Sequence, residues 1–180
     1  MPADPKPKSD RRSRRGLGVD AVSIRPVCAR DLDAIGAVQE ASIFAQDRNV
    51  YSDTQLDAWA RLGWQYRHQL LDDAGNFFVA EWLERVIGVG GWSPDSLDAR
   101  LAWLRYFFVH PGAAGQGIGR RLVEAAEGAA RRRGRTSFQV WSSPGAVNFY
   151  RRAGYRRMRG GRMPVTSAIE LDYVLLGKLV

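Results

Sequence analysis

Hydrophobic positions along the chain fall into blocks that alternate between the two-residue period of strands and the longer period of helices. Val22–Pro26 alternates and predicts a first strand. Asp31 is placed to cap a helix that carries Ile35, Val38 and Ile43 and runs to about Phe44. Ser52-Asp-Thr-Gln55 has the spacing of a capping box and opens a second helix. Leu56, Trp59, Ala60, Tyr66 and Leu70 make its apolar side, and Asp72-Asp-Ala-Gly75 ends it. Phe77–Leu83 and Val86–Trp92 are apolar runs around a Glu84-Arg85 turn, a hairpin signal. Leu101–Val109 predicts a central strand. A long helix follows over Gly117–Arg133, with Ile118, Leu122, Val123, Ala126, Ala129 and Ala130 facing inward and Gly134 as its C-cap. Phe138–Trp141 reads as a short buried strand. Pro144 opens and Gly154 closes a short helix. Tyr155–Met163 and Ile169–Leu176 complete the set.

The order βααβββαβαββ combines a hairpin region with a βαβ crossover. It predicts an α/β domain of the α+β type over residues 21–180, with a mixed central sheet of about seven strands flanked by about four helices. Neither an internal repeat nor a second domain is visible.

Composition adds limits to this picture. The chain has 180 residues, enough for one domain with a proper core. No apolar run approaches the ~20 residues of a membrane span, and no hydrophobic segment follows the charged N-terminus. The single cysteine, Cys28, excludes an internal disulfide. Together these features give a cytoplasmic expectation. Cys28 reads as a small core residue in preference to a catalytic thiol. The net charge is +8. Half of it comes from residues 1–15, where six basic side chains face Asp4 and Asp10. Residues 1–20, rich in Pro, Ser and Arg, are expected to be a disordered basic tail. That tail reads as a solubilising leader before it reads as a nucleic-acid arm. The remaining charge suits an anionic ligand.

The richest chemistry lies after the central strand. His110-Pro111 breaks it, and a loop with Gly115, Gly117 and Gly119 leads directly into the long helix. A strand, a glycine-rich turn and a helix N-terminus together form an anion site, because free backbone N–H groups and the helix dipole both favour negative charge. A P-loop is excluded, since Gly-Lys-Ser/Thr is absent. The dinucleotide fingerprint is excluded too: its third glycine falls on Arg120 in one frame and on Leu122 in the other.

Ala114-Gly-Gln-Gly-Ile-Gly119 resembles the acyl-CoA loop of the GCN5-related N-acetyltransferases, whose pattern is Arg/Gln-x-x-Gly-x-Gly/Ala. Ala114 departs from it at the first position. Downstream, Asn148-Phe-Tyr150 followed by Gly154-Tyr155 resembles the family's second signature. The resemblance covers residues 22–180 and implies the same fold order, with acetyl-CoA as co-substrate and no metal. It implies that Phe107, Phe108 and Val109 line the pantetheine arm between two splayed strands. A backbone N–H near Phe108 or Val109 polarises the thioester carbonyl. Gly115, Gln116, Gly117, Ile118, Gly119 and Arg120 hold the pyrophosphate, Asn148 bonds the pantetheine arm, and Tyr150 is the general acid. Read without the family, Tyr150 is a core aromatic.

The base is less marked. The central strand has no carboxylate where the family often places one. Glu81 on the preceding hairpin is the expected substitute, with Asp95 and Asp98 next; His110 reads as structural. The acceptor pocket is expected from the first two helices and the loops beside the central strand, where Tyr51, Trp59, Trp64, Trp92, Trp103 and Arg105 fall. Arg105 is expected to meet an acidic side chain or an anionic part of the acceptor. The reading is an acetyl-CoA-dependent N-acetyltransferase acting on a small-molecule amine. A protein N-terminus or lysine is the second acceptor class. A non-catalytic acyl-CoA sensor and a nucleic-acid binder are the other readings, and dimers are frequent in the family.

Overall fold

A computed structural model describes residues 21–72 and 75–180, without the side chains of Trp64 and Tyr66. The basic tail expected over residues 1–20 lies outside the described residues.

Seven strands form one mixed sheet: β1 (Val22–Pro26), β2 (Phe77–Trp82), β3 (Arg85–Pro94), β4 (Leu101–Val109), β5 (Ser137–Ser142), β6 (Arg156–Pro164) and β7 (Glu170–Leu179). Their spatial order is β1-β2-β3-β4-β5-β7-β6. All neighbours are antiparallel except β4 and β5, which are joined by the crossover helix. The helices are α1 (Leu32–Phe44), α2 (Asp53–Tyr66), α3 (Ile118–Arg132) and α4 (Val147–Arg152). Among the described residues no helix is long and apolar enough to cross a membrane.

Both faces of the sheet are covered. On one, α3 buries Ile118, Leu122, Val123, Ala126, Ala129 and Ala130 against Ala80, Trp92, Phe138 and Leu176, as the periodicity predicts. On the other, Ile35 of α1 packs on Phe77, Val79 and Val89. Ile43, Tyr51, Leu56 and Ala60 pack on Leu171. The capping box of α2 forms: Ser52 Oγ accepts from the Gln55 N–H, and Gln55 Oε1 accepts from the Ser52 N–H.

Three local expectations change. Asp31 does not cap α1 with its side chain, because both carboxylate oxygens are taken by the Arg25 guanidinium at 2.7 and 2.8 Å. The β2–β3 turn sits one residue earlier than the apolar runs suggest. Leu83 and Glu84 both have positive φ, the two-residue turn that matches strand twist, and Arg85 joins β3 opposite Trp82. Trp141 is 49% exposed: only Phe138 and Val140 of β5 point to the α3 core, and Trp141 takes the opposite face.

Two further features position the site. Tyr106 of β4 has φ +61°, at a bulge where the β3–β4 register jumps between Val89 and Gly91. Glu127 of α3 is a buried carboxylate on the apolar stripe. It accepts from Tyr155 Oη at 2.8 Å and from Lys178 Nζ at 2.9 Å, and pairs with Arg131 at 2.5 Å. At the far edge, β6 is almost entirely exposed and carries Arg156, Arg157, Arg159 and Arg162, charges that discourage pairing with another sheet.

Candidate active site

The turn before α3 has the backbone an anion site needs. Gly115 and Gly117 have φ of +76° and +79°, and a Cβ on either would meet only open space. Gly117 is the N-cap of α3 in the left-handed conformation, which costs other residues about 1–2 kcal/mol. The N–H of Ala114 bonds to Pro111 O and that of Arg121 to Gly117 O. Between them, the six consecutive N–H groups of Gly115–Arg120 donate to no backbone acceptor among the described residues. The Gln116 side-chain oxygen is buried without a partner among the described residues and, being an acceptor, offers nothing to an anion; the main-chain donors are what count. These residues fit a bound diphosphate: the donors are free, the dipole is favourable and the surface is glycine.

The cationic side chains beside the turn divide. Arg121 donates to Val22 O at 2.8 Å and is turned toward β1. Arg120 stays exposed in the first helical turn, paired with Glu124 at 2.8 Å. His110 Nδ1 accepts from the Gly112 N–H at 3.1 Å and so caps the short 3-10 turn over Pro111–Ala113, the structural role expected for it.

From the turn, a gap runs down between β4 and β5. Pairing of these strands covers only Leu101–Leu104 with Ser137–Val140. Beyond it β5 stays paired with β7, so Arg105–Val109 leave one edge of β4 without a strand partner. The bulge at Tyr106 shifts the side-chain alternation there. Phe107 and Val109 face the α3 side, whereas Tyr106 and Phe108 face α1 and α2. The three residues expected along the pantetheine arm therefore share a backbone edge but not a face.

Tyr150 of α4 borders this gap on the α3 side. Its ring lies edge-on to Phe107 at 6.4 Å and to Tyr155 at 5.7 Å. It is buried, and its hydroxyl has no hydrogen-bond partner among the described residues. Burial pushes the phenol well above its usual range, so it stays protonated at neutral pH. Asn148, two residues earlier in α4, is exposed and makes no hydrogen bond within the described residues.

On the α1/α2 face, a cavity of about 470 Å³ opens beside β4. Tyr51, Trp59, Trp103 and Arg105 line it as expected, and Tyr106 and Phe108 join them through the bulge. Trp92 does not, because it is fully buried on the α3 side. Trp141 and Tyr173 complete an aromatic wall that composition alone did not reveal.

Glu81 is a correction to the sequence expectation: it does not line the cavity. Its Oε2 lies 2.5 Å from Arg25 Nη2, and Arg25 also grips Asp31. Register places it opposite Ser23 and Val86, two strands away from β4. Asp95 is also committed, accepting from Trp103 Nε1 and from the N–H groups of Leu97 and Asp98, which hold its carboxyl below the usual range. Cys28 is half-buried beside Asp31, with Sγ 3.2 Å from its Oδ2.

Comparison with known proteins agrees with this architecture. Residues 73–157 match the family model of the acetyltransferase (GNAT) domain. An uncharacterised N-acetyltransferase of Methanocaldococcus jannaschii is 28% identical over 144 residues, which are 76% of this chain and 62% of that protein's length. A GCN5-related N-acetyltransferase from Rhodopseudomonas palustris superimposes with a TM-score of 0.74 at 21% identity, covering 88% of this chain and 95% of that one. The PaiA N-acetyltransferase from Thermoplasma acidophilum, solved in complex with coenzyme A, gives 0.71 at 18% identity over 88% and 99% of the two chains. The structural likenesses establish a shared fold. Residues 73–157 therefore resemble the GNAT acetyltransferase domain, and the described chain shares the fold of N-acetyltransferases of known structure.

Proposed function

We propose that the chain transfers an acetyl group from acetyl-CoA to the primary amine of a small molecule, with Tyr150 as general acid. The observation that carries this reading is the run of six free amides over Gly115–Arg120 at the mouth of the β4–β5 gap. It matches the diphosphate of CoA, and the relative from Thermoplasma acidophilum binds coenzyme A on the same fold.

Acetyl-CoA, when bound, supplies an activated acetyl thioester. The protein's own work is then positional and protic. The Gly115–Arg120 amides hold the diphosphate, with Arg120 adding charge at the rim. The open edge of β4 around Phe108 and Val109 offers main-chain N–H groups to a carbonyl oxygen. Tyr150 Oη carries a proton at working pH, as any phenol does, and can give it to a departing thiolate.

The cavity supports a small acceptor, because its volume lies in the range of small-molecule sites. Asp172 is its one carboxylate among the described residues, and it faces Arg162 at 3.6 Å. The amine therefore loses its proton to solvent and not to a dedicated carboxylate.

Two measurements test the proposal. Calorimetry with coenzyme A is expected to give a heat of association. Release of CoA thiol, followed with a thiol dye across a panel of amines, is expected for at least one acceptor. Association without release across the panel would mark a sensing module. Absence of association would end the proposal.

A further inference from the structure

Arg105 is the cavity feature that the proposed chemistry leaves unused. It lies in the middle of β4, exposed, and makes no ion pair or hydrogen bond among the described residues. A guanidinium on a central strand is normally matched, since its five donors form a rigid fork suited to a carboxylate. Arg105 does not belong to the diphosphate site, which begins beyond Val109: four strand residues, roughly 13 Å, separate the two.

The walls around Arg105 are flat and apolar. Trp103, two residues earlier on the same face of β4, lies edge-on to Trp141 at 5.7 Å. Trp141 stacks on Tyr173 at 5.5 Å with 25° between the planes. Across the cavity, Trp59 lies 6.3 Å from Phe108. Trp103 is fixed in place by its Nε1 bond to Asp95 at 2.8 Å. Among the described residues, the cavity thus joins one free cation, Arg105, to two aromatic surfaces. Its one carboxylate among the described residues, Asp172, lies at the exposed rim with Arg162 3.6 Å away.

We infer that the acceptor is an amine with a flat apolar body and a carboxylate, of the aromatic amino-acid type, and that Arg105 selects it by binding that carboxylate. The inference rests on the acetyltransferase reading for the amine, but the carboxylate preference can be read without turnover. Arg105 is then a specificity-determining residue, touching the acceptor away from the reacting nitrogen.

The test uses the full chain and two probes of one shape: 3-phenylpropionate and its neutral amide. Quenching of intrinsic tryptophan fluorescence reports binding, since Trp59, Trp103 and Trp141 line the cavity. The carboxylate is expected to bind at least tenfold tighter than the amide. In Arg105→Ala that ratio falls to near one, and Arg105→Lys recovers part of it. With acetyl-CoA present, L-phenylalanine is expected to exceed phenethylamine in kcat/KM by a similar factor, mainly through KM. Equal binding of the two probes, no binding of either, or an undiminished ratio in Arg105→Ala overturns the inference. Calorimetry with coenzyme A, run in parallel, tells the two claims apart. Heat without carboxylate preference removes the acceptor class alone, and carboxylate preference without heat removes the enzymatic reading alone.

Discussion

Phe149 closes over Gly119: a Cβ added at this glycine would stand 3.2 Å from the Phe149 ring and 3.7 Å from Val109. The first turn of α3 and the helix that carries Tyr150 are therefore in contact, and only the smallest side chain keeps both in place.

Gly119→Val is expected to push Phe149 aside and lower affinity for coenzyme A at least tenfold. Gly117→Val adds the left-handed backbone cost of about 1–2 kcal/mol and fills the turn itself. Calorimetry on folded variants, verified by circular dichroism, measures both. Unchanged affinity in Gly117→Val would mean that the amides do not hold the diphosphate.

Tyr150→Phe removes one oxygen and leaves the ring packing on Phe107 and Tyr155 intact. Its kcat is expected to fall on the order of 100-fold, the usual scale of general acid catalysis, with the coenzyme A Kd nearly unchanged. A variant with full kcat removes Tyr150 from the proton transfer.

Glu127→Leu would leave Lys178 and Arg131 without their buried partner. Tyr155 Oη also loses its buried acceptor, at a cost of about 1–3 kcal/mol, while Lys178 and Arg131 can turn to solvent, so a drop in Tm of a few degrees is expected by calorimetry. A Tm within a degree of the parent would show that the cluster contributes little.

Stability is expected to fall at both ends of the pH scale. Arg25 holds the Asp31 carboxyl down to about 2. The folded state therefore gains up to about 2 kcal/mol above the ordinary carboxylate range, and loses it as pH falls from near 4 toward 2. At the alkaline end, burial pushes Tyr51 up to about 12 and raises Tyr150 further. Unfolding frees these phenols to ionise near 10, so stability drops as pH rises past that value. Urea titrations across pH check both limbs. In Asp31→Asn the acid limb should become shallower, and an unaltered limb would remove the ion pair as its cause.

Glu81→Gln is expected to leave the pH–rate profile of acetyl transfer in place while lowering stability, because its carboxylate serves Arg25. A shifted acidic limb would return Glu81 to the role of base.

Elements with a clean period were legible from sequence. The stripe Ile118, Leu122, Val123, Ala126 and Ala130 marks α3, and the glycine turn before it marks the amide site. The Ser52–Gln55 box marks the start of α2 because its contacts are local. What failed to appear depended on distant partners. Asp31 has the look of a cap until Arg25 is beside it. Glu81 is a plausible base until the same arginine occupies it. Trp141 and Tyr173 are far apart in the chain and meet because β5 pairs with β7. Glu127 did leave a signal: it is a carboxylate on the same helical stripe as Val123 and Ala130. The bulge left none, since Tyr106 is a residue type that rarely adopts positive φ.

That single left-handed tyrosine decides which side chains of β4 face the cavity. Upstream of it, odd-numbered residues of β4 look toward α1 and α2; downstream, even-numbered ones do. A plain zigzag through Tyr106 with every residue kept would swap the outlooks of Phe107 and Phe108. The packing against Tyr150 and the wall opposite Trp59 would then trade occupants while the sheet stayed whole.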